Sequence, residues 1–268
     1  MEYIEKGDLI YNTFEIFKDY ESSMFAAFST RKGGYSSGCY SSMNLGLSTG
    51  DDRNIIQKNY EKFCEELCVD SKAVVLSDQT HDKNIRIVSR KDAGKGFVRE
   101  KDYKGIDGLI TNERNLPLMT YHADCTPIIF FDPVKNVVGL AHAGWRGTAL
   151  SIATEMISKM KDEYGSKENE IKVAIGPAIC GKCYEVGVEV KEALELLPID
   201  SKQYIENHGD KYFPDLANIN KALLKSVGVL DKNIECSNTC TKENSHMYFS
   251  HREFGNKRGT QVAVAYIK

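Results

Sequence analysis

Two short apolar runs near the middle of the chain have the pattern of neighbouring buried strands. They are Pro127–Phe131 and Val137–Ala141, and the turn-forming segment Asp132–Lys135 separates them. In an antiparallel hairpin with this loop, Cys125 faces His142, and directly opposed Cβ atoms lie roughly 4.5–5.5 Å apart. The pattern therefore predicts a thiol and an imidazole close enough to share a metal ion or to form a nucleophile–base pair.

Helices are predicted in four further segments, and in Asp52–Cys68 apolar residues fall on one side and charged residues on the other. Thr148 or Ser151 is expected to cap the helix that follows the hairpin. The predicted helices are Asp52–Cys68, Thr148–Tyr164, Tyr184–Leu197 and Asp215–Val227.

Short apolar runs with turn residues between them predict the remaining strands, and Gln261–Ile267 is apolar enough to be central in a sheet. Strands and helices mix without strict βαβ alternation, and no repeat or linker divides the chain. The fold class predicted for residues 1–268 is therefore α+β, a single domain with mixed β-sheets flanked by helices. The other predicted strands lie in Tyr3–Phe17 (around a turn at Lys6–Asp8), Met24–Ser29, Ala73–Leu76, Ile85–Val88, Asp107–Thr111, Ile171–Ile175 and Tyr248–Arg252.

Composition excludes several classes of protein. The 268 residues are 41% hydrophobic and 27% charged, which is ordinary for a globular protein, and the formal net charge of -3 gives no basic footprint for nucleic acid. No segment has the apolar length of a membrane span, and the N-terminus lacks the pattern of a signal peptide. A cytoplasmic location with eight reduced cysteines is the expectation.

Two segments outside the hairpin carry groups suited to anions or polar substrates. Gly144–Gly147 precedes a predicted helix and contains Arg146, which favours either an anion site at the helix start or a plain strand-to-helix turn. Thr30–Gly38 is a long glycine- and serine-rich loop, which favours a binding role. We expect Arg31 in this loop and Asn44 after it to hold polar substrate groups.

Three side chains far apart in sequence can be combined into one site. His81 lies in a predicted loop, and with Cys125 and His142 it makes a His₂Cys set, a known type of catalytic zinc site. The alternative is a buried thiol with two hydrogen-bonded histidines. Asp124 could orient a ligand or act as a base, but only where the backbone twists, because adjacent strand residues point to opposite faces.

The other cysteines have less distinctive patterns. Cys64 and Cys68 fall on the apolar side of a predicted helix and are expected to be core thiols. The C-x-x-C at 180–183 could join Cys236 and Cys240 in a structural Cys₄ zinc site. The C-x₃-C spacing of the second pair is looser than in paired zinc knuckles, which favours free thiols.

Motifs along nearly the whole chain resemble those of the YfiH/laccase-domain family, also called the multicopper polyphenol oxidase domain. The pair of motifs around Cys125 and His142 is the most specific. The matching segments are Thr30–Gly34, Met43–Gly46, Gln79–His81, Asp107–Thr111, Ala123–Pro127, His142–Gly147, Ile175–Pro177, Tyr184–Gly187, Cys240–Thr241 and Phe249–Ser250.

The resemblance implies a YfiH-like mixed α/β domain, usually monomeric, with zinc on His81, Cys125 and His142 and copper in some preparations. It also implies a purine nucleoside phosphorylase acting on inosine, adenosine, guanosine and S-methyl-5'-thioadenosine, with adenosine deaminase activity. Some bacterial relatives are instead editing hydrolases of peptidoglycan precursors. Two departures are Asp82, where glycine is common, and His251–Glu253, which replaces Tyr-Arg-Arg and weakens any substrate role for that segment.

The sequence argues against two rival chemistries. A multicopper oxidase needs many histidines, but this chain has six and no His-x-His motif. The cytidine-deaminase signature is absent as well, because Pro177 stands three residues before Cys180. Any deamination must therefore use another design of site.

Phosphorolysis of purine nucleosides is the leading functional hypothesis. Arg31 and Arg146 would hold phosphate, and Asn44 would bind sugar or base. A second hypothesis is a cysteine hydrolase with Cys125 as nucleophile and His142 as base. A third is a non-catalytic zinc-binding interaction module, which would need a closed site and would lose its fold without metal.

Overall fold

A computed structural model describes all 268 residues, which form fourteen strands and six helices. The strands are β1 Glu2–Lys6, β2 Leu9–Thr13, β3 Met24–Ser29, β4 Val75–Leu76, β5 Ile85–Ile87, β6 Gly108–Thr111, β7 Leu118–His122, β8 Thr126–Asp132, β9 Val137–Ala143, β10 Lys172–Ile175, β11 Ile205–His208, β12 Lys211–Pro214, β13 Ile234–Cys236 and β14 Gln261–Ile267. The helices are α1 Arg53–Glu66, α2 Trp145–Ala149, α3 Ile152–Tyr164, α4 Val188–Glu195, α5 Leu216–Ser226 and α6 His251–Phe254.

The strands form two six-stranded mixed sheets and one small hairpin. The first sheet has the order β1-β2-β3-β14-β7-β4 and the second has the order β13-β10-β8-β9-β6-β5, while β11 pairs with β12. Most neighbours are antiparallel, but β4–β7, β5–β6 and β10–β13 are parallel. The predicted fold class, with mixed sheets flanked by helices, is therefore confirmed, and Gln261–Ile267 is central as expected.

The core is divided into layers by the two sheets. One cluster lies between them and includes Phe28 of β3, Ile129 of β8 and Leu140 of β9. A second cluster packs α1 on the outer face of the first sheet, and a third packs α3 on the outer face of the second. Every residue of β8, β9 and β14 is buried, because both faces of these strands are covered.

The helix α1 confirms the prediction for Asp52–Cys68, with one exception. Asp52 is its N-cap and accepts a hydrogen bond from the Asn54 amide. Cys64 is buried, as expected. Cys68 is exposed, so its assignment as a core thiol is wrong. The reason is that the helix ends at Glu66 and Cys68 has a left-handed φ of 54°, which turns it away from the apolar face.

The central hairpin exists, but the predicted register is wrong by two residues. His142 faces Pro127, not Cys125. The turn lies one residue later than predicted, because the Asp132 carboxylate accepts the amides of Val134 and Lys135 at 2.8 and 3.0 Å while Asp132 still pairs across the sheet. An even shift keeps each side chain on its predicted face.

Other boundaries also differ from the predictions. The helix expected over Thr148–Tyr164 is two helices, because Ser151 takes a left-handed φ of 63° between α2 and α3, and neither predicted cap makes a side-chain capping bond. The strand expected over Tyr248–Arg252 does not form, because the chain is irregular at Tyr248 and then enters α6. No helix in the fold combines the length and the apolar character needed to cross a lipid bilayer.

Candidate active site and metal centre

His81 is positioned by a buried carboxylate beneath its loop. Asp107, fully buried just before β6, accepts hydrogen bonds from the backbone amides of Thr80, His81 and Asp82 at 2.9, 3.0 and 3.0 Å. His81 itself has a positive φ of 64°. The three amides fix a backbone conformation that a non-glycine residue seldom adopts, so the imidazole is held in place by Asp107.

Cys125 and His142 reach His81 from the connection before β8 and from β9. The Sγ atom of Cys125 lies 3.8 Å from Nε2 of His81, and one ligand atom from each of the three residues lies within 4.8 Å of the others. Because His142 pairs with Pro127, Cys125 approaches it from beyond the end of the strand. The predicted three residues are thus brought together, although by a different route.

The site lies where the chain passes from one sheet to the other. His81 follows β4 of the first sheet and precedes β5 of the second, and Cys125 lies between β7 of the first and β8 of the second. His142 belongs to the second sheet. His122, at the end of β7, braces this crossing: its Nδ1 lies 3.0 Å from the carbonyl oxygen of Cys125.

Gly144 leaves the space in which the three side chains meet. A Cβ at this position would lie 2.9 Å from Cδ2 of His81 and 3.0 Å from Sγ of Cys125. Its φ of -72° is open to any residue. Glycine is therefore needed here for space and not for backbone conformation.

The side chains of Cys125 and His142 shift each other's protonation. Burial alone would raise the pKa of Cys125, but the charge and hydrogen bond of His142, with a smaller contribution from His81, lower it to about 6. Burial alone would lower the pKa of His142, but the Cys125 thiolate and the Asp107 carboxylate raise it to about 9. Without a metal ion, these two residues form a thiolate–imidazolium pair.

Asp124 has a positive φ of 87°, the backbone twist that the predicted role required. Its carboxylate accepts two hydrogen bonds: Oδ1 from the Thr241 hydroxyl at 2.6 Å, and Oδ2 from the Arg252 backbone amide at 2.6 Å. Its carbonyl oxygen accepts from the Ile179 amide at 3.0 Å. These contacts favour a role in holding the Cys125 loop.

Arg31 and Asn44 are tied to neighbouring backbone. Arg31 donates to the carbonyl oxygens of Ser41 and Ser245 at 2.8 and 2.7 Å, and it forms no ion pair. Asn44 is fully buried, and its Oδ1 accepts the Gly46 and Thr260 amides, each at 3.0 Å. The hydrogen bonds of Asn44 favour a structural role over the predicted contact with substrate.

Arg146 is exposed in the first turn of the short helix α2, with its guanidinium 4.2 Å from the centre of the Trp145 ring. Its charge acts on Tyr184, as do those of Cys125, Asp124 and Arg252. Burial, reinforced by Cys125, raises the pKa of Tyr184 to about 12. These residues therefore share one region.

Two further arginines near Cys125 were not predicted as site residues. Arg252 lies 5.0 Å from the Tyr184 ring centre, and its amide bonds Asp124. Burial lowers the pKa of Arg258, while the charges of Asp124 and Cys125 raise it, and its buried Nε has no hydrogen-bond partner. Neither arginine forms an ion pair. Arg252 could have been found from the sequence, because it keeps the middle arginine of the Tyr-Arg-Arg motif that His251–Glu253 otherwise replaces.

The three donors fit a zinc ion. Asp107 Oδ1 lies 2.8 Å from Nδ1 of His142, which leaves Nε2 of that ring free for a ligand. A carboxylate behind a ligating histidine is the usual support of a zinc site, and two imidazoles with one thiolate match a catalytic donor set. From the sequence, Asp107 was recognised only as part of the Asp107–Thr111 motif; its role in positioning His81 and His142 was missed because these partners are far away along the chain.

A polar cavity of about 470 Å³ lies beside this region. Gln79, Lys101 and Arg258 are among its lining residues. Gln79 lies two residues before His81, and the charge of Cys125 acts on Arg258, but none of the three donors lines the cavity. Its volume is in the range of pockets that hold small molecules, roughly 300–1,000 Å³.

The sequence is similar to those of known proteins. The family model described as "Multi-copper polyphenol oxidoreductase laccase" matches residues 25–268. The chain is 36% identical over 249 residues to "Purine nucleoside phosphorylase YlmD" of Bacillus subtilis, covering 91% of this chain and 89% of the relative. The protein of the same name from Geobacillus stearothermophilus is 36% identical, over 89% of this chain and 88% of the relative.

Solved structures show the same fold. A Bacillus licheniformis hypothetical protein YfiH superimposes with a TM-score of 0.93 at 32% identity, covering 99% of each chain. The YlmD structure from Geobacillus stearothermophilus gives a TM-score of 0.91 at 33% identity, covering 99% of this chain and 98% of that one. The chain therefore belongs to the laccase/YfiH family, as its motifs predicted.

Proposed function

We propose that this protein is a zinc-dependent purine nucleoside phosphorylase. The substrates would be inosine, adenosine, guanosine and S-methyl-5'-thioadenosine with phosphate, and the same site would deaminate adenosine. The observation that carries the proposal is the group of arginines without ion pairs, Arg146, Arg252 and Arg258, beside the convergent His81, Cys125 and His142. Relatives named purine nucleoside phosphorylase support it.

The arginines supply what phosphorolysis requires. A phosphate oxygen forms a bond to the anomeric carbon of the ribose while the bond to the purine nitrogen breaks, and the electron pair leaves with the base. Phosphate must be held close to a sugar that becomes positive, so fixed cations at the site stabilise the attacking anion. Arg146 is exposed and stacks on Trp145, so it is available for this role. Arg252 and Arg258 each donate from Nη1 to a backbone carbonyl oxygen, of Glu185 at 2.7 Å and of Gly259 at 2.9 Å, which leaves Nη2 of each for phosphate. Arg31 was the other predicted cation.

Tyr184 is suited to the opposite end of the reaction. Its hydroxyl is protonated at neutral pH, as that of an ordinary tyrosine is, and can donate a hydrogen bond to the departing base. Bound zinc, held by His81, Cys125 and His142, would supply Lewis-acid polarisation of a substrate oxygen. Asp107 would keep His142 in the tautomer that binds through Nε2.

The direct test is incubation of the zinc-loaded protein with inosine and phosphate. Hypoxanthine and ribose 1-phosphate should form in equal amounts, and both should be lost in Cys125→Ser. Arg146→Gln and Arg252→Gln should each raise the KM for phosphate by about 10-fold or more, because a charge-assisted hydrogen bond contributes about 1.5–3 kcal/mol. Arg90→Gln, at a remote Glu113 pair, is the control. Absence of both products at every zinc loading refutes the proposal.

Deamination has a separate readout. Adenosine without phosphate should give inosine and ammonia in equal amounts, and Cys125→Ser should abolish both. Adenine appearing only with phosphate, and no ammonia, would leave phosphorolysis standing and remove deamination.

The thiolate–imidazolium pair favours a second candidate, a cysteine hydrolase that edits peptidoglycan precursors. Cys125, His142 and Asp107 have the relationship of nucleophile, base and orienting carboxylate. Chelation separates the candidates. A hydrolase gains activity and forms a covalent adduct at Cys125 with a substrate-like electrophile, whereas the phosphorylase loses turnover.

We also propose that residues 1–268 act as one catalytic domain and as a monomer. Site residues come from the connections between both sheets, which supports a single unit. Light scattering on the eluted protein would give the mass of one chain, and a stable dimer would refute the monomer.

A further inference from the structure

Three cysteines form a second convergent group of donors outside the proposed active site. One ligand atom each from Cys180, Cys183 and Cys240 lies within 4.8 Å of the others. Cys236, the fourth thiol considered from the sequence, is not part of the group, so a Cys₄ arrangement is wrong. It belongs to β13, which ends before the loop that carries Cys240.

Backbone pairing holds the two segments of this group together. Ala178 forms a parallel bridge with Cys240, and the Thr241 amide donates to the Ala178 carbonyl oxygen at 3.0 Å. Cys180 and Cys183 lie at the two ends of a single 3₁₀ turn, which places both sulfurs on one side. The three thiols are therefore brought together by the fold, and binding a ligand would require little rearrangement.

Two contacts at the sulfurs match a metal–thiolate site. The Cys180 amide donates to Sγ of Cys240 at 3.4 Å, a bond that stabilises a thiolate. Oε1 of Glu243 accepts from Sγ of Cys183 at 3.8 Å; it lies outside the group of three sulfurs and would become a fourth donor only after its side chain moves towards them. In a tetrahedral zinc site with Zn–S bonds of about 2.3 Å, neighbouring sulfurs lie about 3.8 Å apart, which small side-chain movements reach from this arrangement.

We propose that Cys180, Cys183 and Cys240, with Glu243 as fourth donor, bind a structural zinc ion separate from the one proposed at His81, Cys125 and His142. Once Glu243 has moved in, the site would be closed by four protein donors and would supply no open position for substrate. The ion would tie the turn after β10 to the loop after β13. This proposal does not depend on the reaction that the other site performs.

The second site is linked to the first through Asp124. Ile179, which precedes Cys180, donates its amide to the Asp124 carbonyl oxygen at 3.0 Å. Thr241, which follows Cys240, donates its hydroxyl to the Asp124 carboxylate at 2.6 Å. A zinc ion on the cysteines would therefore fix both segments that hold the residue beside Cys125.

Zinc content tests the proposal directly. The full-length protein, purified under reducing conditions and equilibrated with zinc, should hold two zinc ions per chain by elemental analysis. Cys183→Ser and Cys240→Ser should each hold one, and so should Cys125→Ser, which alters only the other site. Cys236→Ser is the matched control and should hold two. One zinc per chain in the wild type, lost completely in Cys125→Ser, overturns the proposal.

Two further readouts cover variants that do not fold. In the wild type, zinc should protect Cys180, Cys183 and Cys240 from alkylation, as located by mass spectrometry, and leave Cys39 and Cys236 unprotected. Cobalt in place of zinc should give an intense thiolate-to-cobalt absorption band that persists in Cys125→Ser. Equal labelling with and without zinc, a disulfide within the group that takes up no zinc after reduction, or binding of copper(I) alone overturns the proposal.

Discussion

His142 and Asp107 form the hydrogen bond on which the geometry of the candidate site depends, with Nδ1 and Oδ1 2.8 Å apart. The same carboxylate accepts three amides of the loop that carries His81. Asp107 thus positions two of the three donors at once, His142 through its ring and His81 through its loop, and makes no hydrogen bond to Cys125. Burial would raise the pKa of Asp107, but His142 and the loop amides lower it, so the residue stays ionised.

Asp107→Asn should weaken zinc binding about 10- to 100-fold, the usual effect of losing a carboxylate behind a metal-ligating histidine. The new amide group would also face N–H donors, which disturbs the His81 loop. Competition with a chromogenic chelator measures the change. Asp132→Asn alters a buried carboxylate at the turn of the β8–β9 hairpin, the end opposite His142, and is the control that should bind zinc normally. Unchanged zinc affinity in Asp107→Asn would contradict the positioning role.

Gly144→Ala should remove zinc binding and turnover together, because the added methyl group lies within 3.0 Å of both His81 and Cys125. Elemental analysis and the inosine assay measure the two effects. Gly187→Ala is the matched control, since the three atoms nearest to its methyl group all belong to the end of the flexible, exposed Glu189 side chain, which can move away. A Gly144→Ala protein with full zinc content would show that the donors have room to separate.

In zinc-free protein, Cys125 should react with iodoacetamide at a pH well below that of an ordinary thiol, whose pKa is about 8.5. Only the thiolate reacts, and a lowered pKa keeps the thiolate populated as the pH falls towards about 6. In His142→Ala, burial still raises the pKa of Cys125 while the largest lowering effect is lost, so the pH midpoint of its alkylation should move above that of free N-acetylcysteine. Mass spectrometry of the Cys125 peptide against pH gives both midpoints. Identical midpoints in the two proteins would exclude the pairing.

Asp124→Asn and Thr241→Val should each lower kcat, and their effects should not add in the double variant, because both break the same brace on the Cys125 loop. A general base would give a different result. Asp124→Asn would then abolish turnover, while Thr241→Val would retain most of it. The double-mutant cycle on kcat, with KM measured alongside, separates the two roles.

The sequence was sufficient for elements whose pattern is decided locally. β3 was predicted with its observed bounds, and α1 was predicted to within two residues at its C-terminal end, because one buried face sets the period of each. The break at Ser151 was missed, since apolar spacing continues across it while one residue turns left-handed. The hairpin β11–β12 was missed because its strands are short and largely exposed.

The convergence of His81, Cys125 and His142 followed from donor chemistry and from the family motifs, although the register used to join two of them was wrong. The contributions of Asp107, Arg252 and Arg258 were not foreseen. Asp107 bonds Asp82 across 25 positions of the chain, and Arg252 bonds Asp124 across 128. Contacts of that kind depend on how the sheets pack, which no local pattern encodes.

His81 and Cys125 lie in the two segments that connect the sheets, and His142 lies in the second sheet, so a metal ion bound to all three would cross-link the two sheets. Movement of one sheet relative to the other would then separate the ligands and break the metal site. Heat resistance and metal occupancy should consequently rise and fall together, and the metal-loaded protein should melt at a higher temperature by an amount that grows with free zinc concentration.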